Sequence, residues 1–144
     1  MDPAHAKQRL LFYISDAIDD SHDIADMKKV IEEVAVMREW VIAPPDFVDE
    51  SEINDEAGPL RTVGGCLEMY SALPPWGDAL PPEIDRAHLD EVKTIIHAVA
   101  AFSKRTGHEI AFELDGSQIG WIENGIVDNS LREGLLEEWE KTLK

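Results

Sequence analysis

The chain holds a single cysteine, Cys66, in 144 residues, so no disulfide can form within it. Its Lys and Arg number only 13, against 30 Asp and Glu, and the formal net charge is −17. No apolar run approaches the roughly 20 residues of a membrane span, and Met1 to Leu10 lacks the apolar centre of a secretory leader. One cysteine and no leader predict a cytoplasmic protein. The shortage of cations is general: the first 72 residues carry 6 basic and 16 acidic side chains, the rest 7 and 14. A negative field over both halves disfavours nucleic acid and anionic membrane as direct ligands, and favours either plain solubility or a basic protein partner.

Motifs of catalysis are missing as well. Gly64-Gly65 has no following Lys and Ser/Thr to make a phosphate loop. Cys66 comes with no evident base or electropositive setting, so a buried structural thiol is expected. Asp19-Asp20-Ser21-His22-Asp23 has the ligand types of a metal site, but consecutive residues at a helix start splay apart, and a helix cap with solvated acids is expected. His88 and His97 share a helix yet lie on opposite sides of it, and His97 falls on the polar stripe. Glu137-Glu138 diverge on adjacent helical positions and make no glycosidase pair. These readings predict no catalytic residues, no metal and no cofactor.

What is present is periodicity. Ile110, Phe112 and Leu114 alternate with Ala111, Glu113 and Asp115, the period of a half-buried strand. Asp115-Gly116 suits a tight type I′ turn, and Asn124-Gly125 marks a second turn. The return strand is read with Ile119 and Trp121 on one face and Ile122 on the other, Trp121 packing inward. Helical stripes are expected over Ala4 to Asp19 (Leu10, Leu11, Ile14, Ala17, Ile18), Ser21 to about Val41, Asp85 to Thr106 and from Ser130 onward. The last opens on a Ser130–Glu133 capping box and docks Leu131, Leu135, Trp139 and Leu143. Lys104, Arg105 and Gly107 supply stop chemistry to the third. Residues 60–70 fit a strand, with Val63, Leu67 and Met69 inward, or a short helix. The expected fold is α+β: one domain over 1–144, a small antiparallel sheet built on the hairpin at about 109–127, and four helices packed against it.

Residues 43–59 stand out. Pro44, Pro45 and Pro59 frame Asp46, Asp49, Glu50, Glu52, Asp55 and Glu56, with no Lys or Arg. Proline and like-charge repulsion predict an exposed loop. With Trp76, which lies among Pro74, Pro75 and Gly77, these six acids are the expected partner-binding residues; a solvated spacer is the plainer reading of the loop.

The stretch Glu113 to Trp139, ELDGSQIGWIENGIVDNSLREGLLEEW, resembles the closing segment of bacterial immunity proteins of contact-dependent, type VI and Rhs-type toxin systems. That resemblance implies a non-enzymatic inhibitor that binds a cognate toxin domain, and it carries over no particular residue; the acidic charge adds the expectation that the toxin is basic and that its active-site cleft is occluded. The expected function is therefore a binding protein. The alternatives are a small acidic structural or adaptor domain without a toxin, and an enzyme whose site is assembled from scattered acids and histidines.

Overall fold

The computed structural model describes residues 7–15, 21–54, 58–70 and 81–142. Strands β1 (Lys7–Ile14), β2 (Asp46–Asn54), β3 (Gly58–Tyr70), β4 (Ile110–Leu114), β5 (Ser117–Glu123) and β6 (Ile126–Val127) form one antiparallel sheet in the order β2-β3-β1-β4-β5-β6. Helix α1 (Ser21–Ala35) follows β1, and α2 (Pro82–Thr106) follows β3. The chain closes on a terminal helix wound first as π-type turns, Ser130–Glu137, and then as α3, Glu138–Thr142. The class is α+β, as expected. The sheet, however, has six strands rather than a hairpin, and three helical segments pack against it among the described residues, not four.

The central strand differs from the sequence expectation. Residues 7–14 are β1, not part of a helix over Ala4 to Asp19. Leu10, Phe12 and Ile14 are buried, and their period of two sends Arg9, Leu11 and Tyr13 to the other face. Leu10, Leu11 and Ile14 also satisfy a helical spacing, so a short apolar run did not decide between the two. Pairing decided it: β1 is bonded on one side to β3, from Lys7↔Tyr70 to Tyr13↔Gly64, and on the other to β4, from Leu10↔Leu114 to Ile14↔Ile110.

Most of the expected loop at 43–59 is strand: 46–54 belong to β2 and 58–59 open β3. Asp46–Asn54 is an edge strand in continuous register with β3, from Asp46↔Cys66 to Asn54↔Gly58. The carboxylates of Asp46, Asp49 and Glu50 are exposed to water, which screens their repulsion. Pro59 lies in the part of β3 that β1 does not reach, so β1 asks for no N–H there. The alternative of a helix over 60–70 is excluded, and Val63, Leu67 and Met69 do point inward. Gly65 is required by packing: a Cβ there would lie 2.5 Å from Phe12 Cζ and 2.7 Å from Ile31 Cδ1, in the seam between β1 and α1.

Helix α1 stops at Ala35, six residues short of Val41. Met27, Val30, Ile31 and Val34 are buried, but Val36 and Met37 are exposed. Trp40 folds back so that Nε1 donates to the Ala35 carbonyl at 3.0 Å, satisfying one free acceptor of the helix end. Helix α2 behaves as its sequence suggests, and Gly107 (φ 81) ends it with N–H donating to the Ser103 carbonyl at 2.7 Å. In the hairpin, Asp115 and Gly116 both take positive φ (51 and 86), as do Asn124 and Gly125 (50 and 78). A bulge where β4 passes from Phe112 to Glu113 puts Gln118 opposite Glu113 and Gly120 opposite Phe112, leaving Ile119 between them. That extra residue separates Ile119 from Trp121. Ile119 packs against the core, whereas Trp121 stands on the outer face, 39% exposed, and does not pack inward. Asp128, not Ser130, caps the terminal helix: its carboxylate accepts from Ser130 N–H and Leu131 N–H, both at 3.3 Å, and from Trp121 N–H at 3.1 Å. Leu131 is buried, while Leu135, Leu136 and Trp139 pack on the core from its margin. Leu143 lies outside the described residues.

Candidate functional site

The helices all lie on one side of the sheet, over Leu10, Phe12, Ile14, Val63, Leu67, Ile110, Phe112 and Ile122. The other side carries no helix among the described residues. Strand register assigns its side chains: Asp46, Val48 and Glu50 from β2, Thr62, Cys66 and Glu68 from β3, Lys7, Arg9, Leu11 and Tyr13 from β1, Ala111 and Glu113 from β4, Trp121 and Glu123 from β5, and Ile126 from β6.

Two features organise this face. Tyr13, Ala111 and Trp121 are directly paired across β1, β4 and β5, and the small buried Ala111 lets the two aromatic side chains flank it. Ile126, 71% exposed opposite Glu123, extends the apolar strip to the sheet edge. The same face carries the carboxylates of Asp46, Glu50, Glu68, Glu113 and Glu123, with Lys7 and Arg9 as its cations among the described side chains. Tyr13 has a phenol pKa raised above its ordinary value, first by burial and then by its hydrogen bond to Glu113. Arg9 is raised too, first by contact with the Cys66 side chain and then, more weakly, by the charges of Glu68 and Glu50. Arg9 is thus committed to neighbours on its own face. Its backbone N–H donates to Asp115 Oδ1 at 2.8 Å, and Asp115 N–H returns a bond to its carbonyl at 3.0 Å. A shallow groove of about 370 Å³ lies beside it, with Cys66, Val48 and Leu11 on its walls.

The acids expected to bind a partner are divided by the strand. Asp46 and Glu50 fall on the uncovered face, and Glu52 has the same register parity; Asp49 has the opposite parity and sits on the helix side, exposed. Asp55, Glu56 and Trp76 lie outside the described residues. Sequence reasoning missed Glu68, Glu123, Trp121 and Ile126 as members of one surface. Their signal was present in the strand alternation, but it becomes legible only once β1 is a strand that joins β3 to β4.

The titratable groups off this face serve the fold. His88 and Glu91 are buried on α2, with Nδ1 to Oε1 at 2.6 Å. His88 Nε2 accepts from Tyr70 N–H at 3.1 Å, so the proton resides on Nδ1 and is donated to Glu91. The second Glu91 oxygen accepts from Val41 N–H at 2.7 Å. This fixes β3, α2 and the segment after α1 to one another, and neither ring nor carboxylate reaches solvent. Asp23 is not simply solvated: its Oδ1 lies 3.0 Å from His108 Nε2, joining the start of α1 to the chain after α2. His97 is exposed, as expected. Cys66 is buried as a free thiol. Among the described residues no three of His, Cys, Asp and Glu gather in the manner of a metal centre, and no helix is long and apolar enough to cross a membrane.

No protein-family model matches the chain, and neither a curated protein nor a solved structure matches it.

What the uncovered face can do chemically is limited and specific. It offers carboxylate acceptors to Lys and Arg side chains, and Trp121, Ile126 and Tyr13 offer apolar and aromatic area between them.

Proposed function

We propose that this protein is a non-enzymatic binding protein for a basic protein partner, acting as an immunity protein that occludes the active-site cleft of a cognate toxin domain. The observation that carries the reading is the uncovered sheet face, with Trp121 and Ile126 exposed at its β5–β6 end and carboxylates on four of its strands. A sheet normally buries at least one face and solvates the other with polar residues; an exposed Trp and Ile within that polar face are the kind of residues that anchor interfaces. The dimensions suit the task. Six strands of 2 to 13 residues, at about 3.3 Å per residue and about 4.8 Å between strands, span roughly 700 Å², approaching the ~800 Å² that each partner contributes to a standard complex. A net charge of −17 draws a cationic partner from a distance. At contact the carboxylates take the place of substrate phosphates in a basic cleft, and the Trp121–Ile126 strip expels water.

A second reading has an observation of its own. The acids of β2 lie on a sheet edge, where charge guards against strand-to-strand aggregation, so a structural or adaptor domain would carry them too. Edge protection does not account for Trp121 and Ile126 at the opposite end of the sheet. The test is co-expression with the basic toxin domain encoded beside this protein's gene. Protection of the cells and a one-to-one complex are expected, both lost on combining Trp121→Asp with Glu113→Lys and Glu123→Lys. A variant that protects as well as the parent, or a gene with no toxin neighbour, favours the adaptor reading.

A further inference from the structure

On the helix side of the sheet, where β1 begins and β3 ends, a cavity of about 470 Å³ lies between the sheet, α2 and the terminal helix. The size falls within the ~300–1,000 Å³ of small-molecule sites. Leu10, Met69 and Val92 line it from the core, and Ile119, Leu135 and Trp139 close its sides. Two departures from regular structure make the room. The bulge in β5 turns Ile119 toward the helices. The π-type winding of Ser130–Glu137 widens the terminal helix where it passes over the cavity, and Gly134, on the lining, would meet nothing within 4 Å if it carried a Cβ.

The polarity of the lining selects the ligand. Asp85 and Glu138 are its two carboxylates, Gln8 and Tyr70 its neutral polar side chains, and no described Lys or Arg lines it. Glu138 is exposed and paired with Lys141 at 3.2 Å, so its charge is answered. Asp85 is half-buried in the first turn of α2, and no described Lys or Arg bridges it. Its Oδ1 accepts from Trp139 Nε1 at 2.7 Å, which fixes the carboxylate against the ring. An anchored carboxylate at the border of an apolar cavity, beside an indole, is the arrangement that receives an ammonium group on a hydrophobic body. An anion would meet Asp85 and the −17 field. A neutral alcohol would forgo the charge-assisted bond. The geometry points to a binding site for a small hydrophobic amine in its protonated form, held by Asp85 and Trp139 with its apolar body against Ile119 and Leu135. This site is on the opposite side of the sheet from the proposed docking face and does not depend on it.

The test is calorimetric titration of the intact chain at pH 7 with n-octylammonium, with octanoate and methylammonium as probes of matched body and matched head. Octylammonium is expected to saturate one site per chain with a Kd below about 1 mM, octanoate to bind at least about tenfold more weakly, and methylammonium to give no saturable heat. Asp85→Asn keeps an acceptor for Trp139 Nε1 but removes the charge, and is expected to weaken octylammonium at least about fivefold. Gly134→Phe, placed where space is open, is expected to abolish binding with the thermal melt unchanged; Ile119→Trp fills the same space from the sheet should Gly134→Phe shift the melt. Octanoate binding as tightly as octylammonium, unaltered affinity in Asp85→Asn or in a folded filled variant, or no saturable heat below about 10 mM, overturns the proposal.

Discussion

The imidazole Nδ1 of His88 lies 2.6 Å from Glu91 Oε1 with both side chains 1% exposed, and together they hold two backbone N–H groups from elsewhere in the chain. The pair looks like half of a catalytic site and is a structural pin. Each of its polar atoms is satisfied, which is what allows a carboxylate to sit in the core.

Removing one partner strands the other. Glu91→Ala leaves Val41 N–H and His88 Nδ1–H buried without acceptors, and the expected loss is about 3–5 kcal/mol. Urea unfolding measures it directly; a loss under about 1 kcal/mol would show that water replaces the carboxylate.

Gly65→Ala adds a methyl group against Phe12 and Ile31, side chains of the central strand and of α1. Overpacking of this kind costs about 1–3 kcal/mol. Equilibrium unfolding of the variant checks it, and a melting temperature equal to the parent's would mean that α1 can lift away without penalty.

Trp121 separates two accounts of the hairpin. At 39% exposure its replacement by Ser is expected to cost less than about 1 kcal/mol, whereas Phe112→Ala, from the fully buried position across the sheet, should cost about 3–5 kcal/mol. Thermal or chemical denaturation of both variants gives the comparison. A costly Trp121→Ser would place the indole in the core after all.

Tyr13 gives a pH signature. Its phenol pKa is raised in the folded protein above the ordinary 10.0, by burial and by Glu113. The folded state therefore holds the proton more tightly than the unfolded chain, so the contribution is fully present below about pH 10 and is lost as pH rises through the higher folded value. Subtracting the ultraviolet phenolate titration of Tyr13→Phe from that of the parent should isolate a step above pH 10. A step at or below 10 contradicts the burial of this ring.

How much of this was legible in the sequence depended on whether local chemistry carried the signal. Asp115-Gly116 and Asn124-Gly125 demand positive φ, so both turns were readable without any knowledge of the sheet. The end of helix α2 was readable for the same kind of reason, from Lys104, Arg105 and Gly107, whereas its start lies at Pro82, three residues before the expected Asp85. Strand β1 was not: Leu10-Leu11-Phe12-Tyr13-Ile14 is too short and too apolar to show one period, and its state was set by partners 50 and 100 residues away. Nor was β2, where nine residues rich in acid form a strand because the sheet edge leaves their side chains in water. The candidate site suffered from both errors. Acids were seen as a loop, whereas the face that gathers Glu68, Glu113, Glu123 and Trp121 exists only in the assembled sheet. The bulge at Ile119, which decides where Trp121 points, has no signature in the strand alternation.

The account centres on the uncovered face as the docking surface for a basic partner. Its most direct test is the association rate with a basic protein captured by co-purification with this chain, followed by stopped flow from low to high salt. The parent is compared with a variant carrying Glu68→Gln, Glu113→Gln and Glu123→Gln. The account predicts a parent rate that falls at least about tenfold between roughly 50 and 500 mM salt, and a variant that starts slower and has a flatter salt dependence, with the melting temperature little changed. Identical rates and identical salt dependence in the two proteins would contradict it, and would move recognition off this face of the sheet.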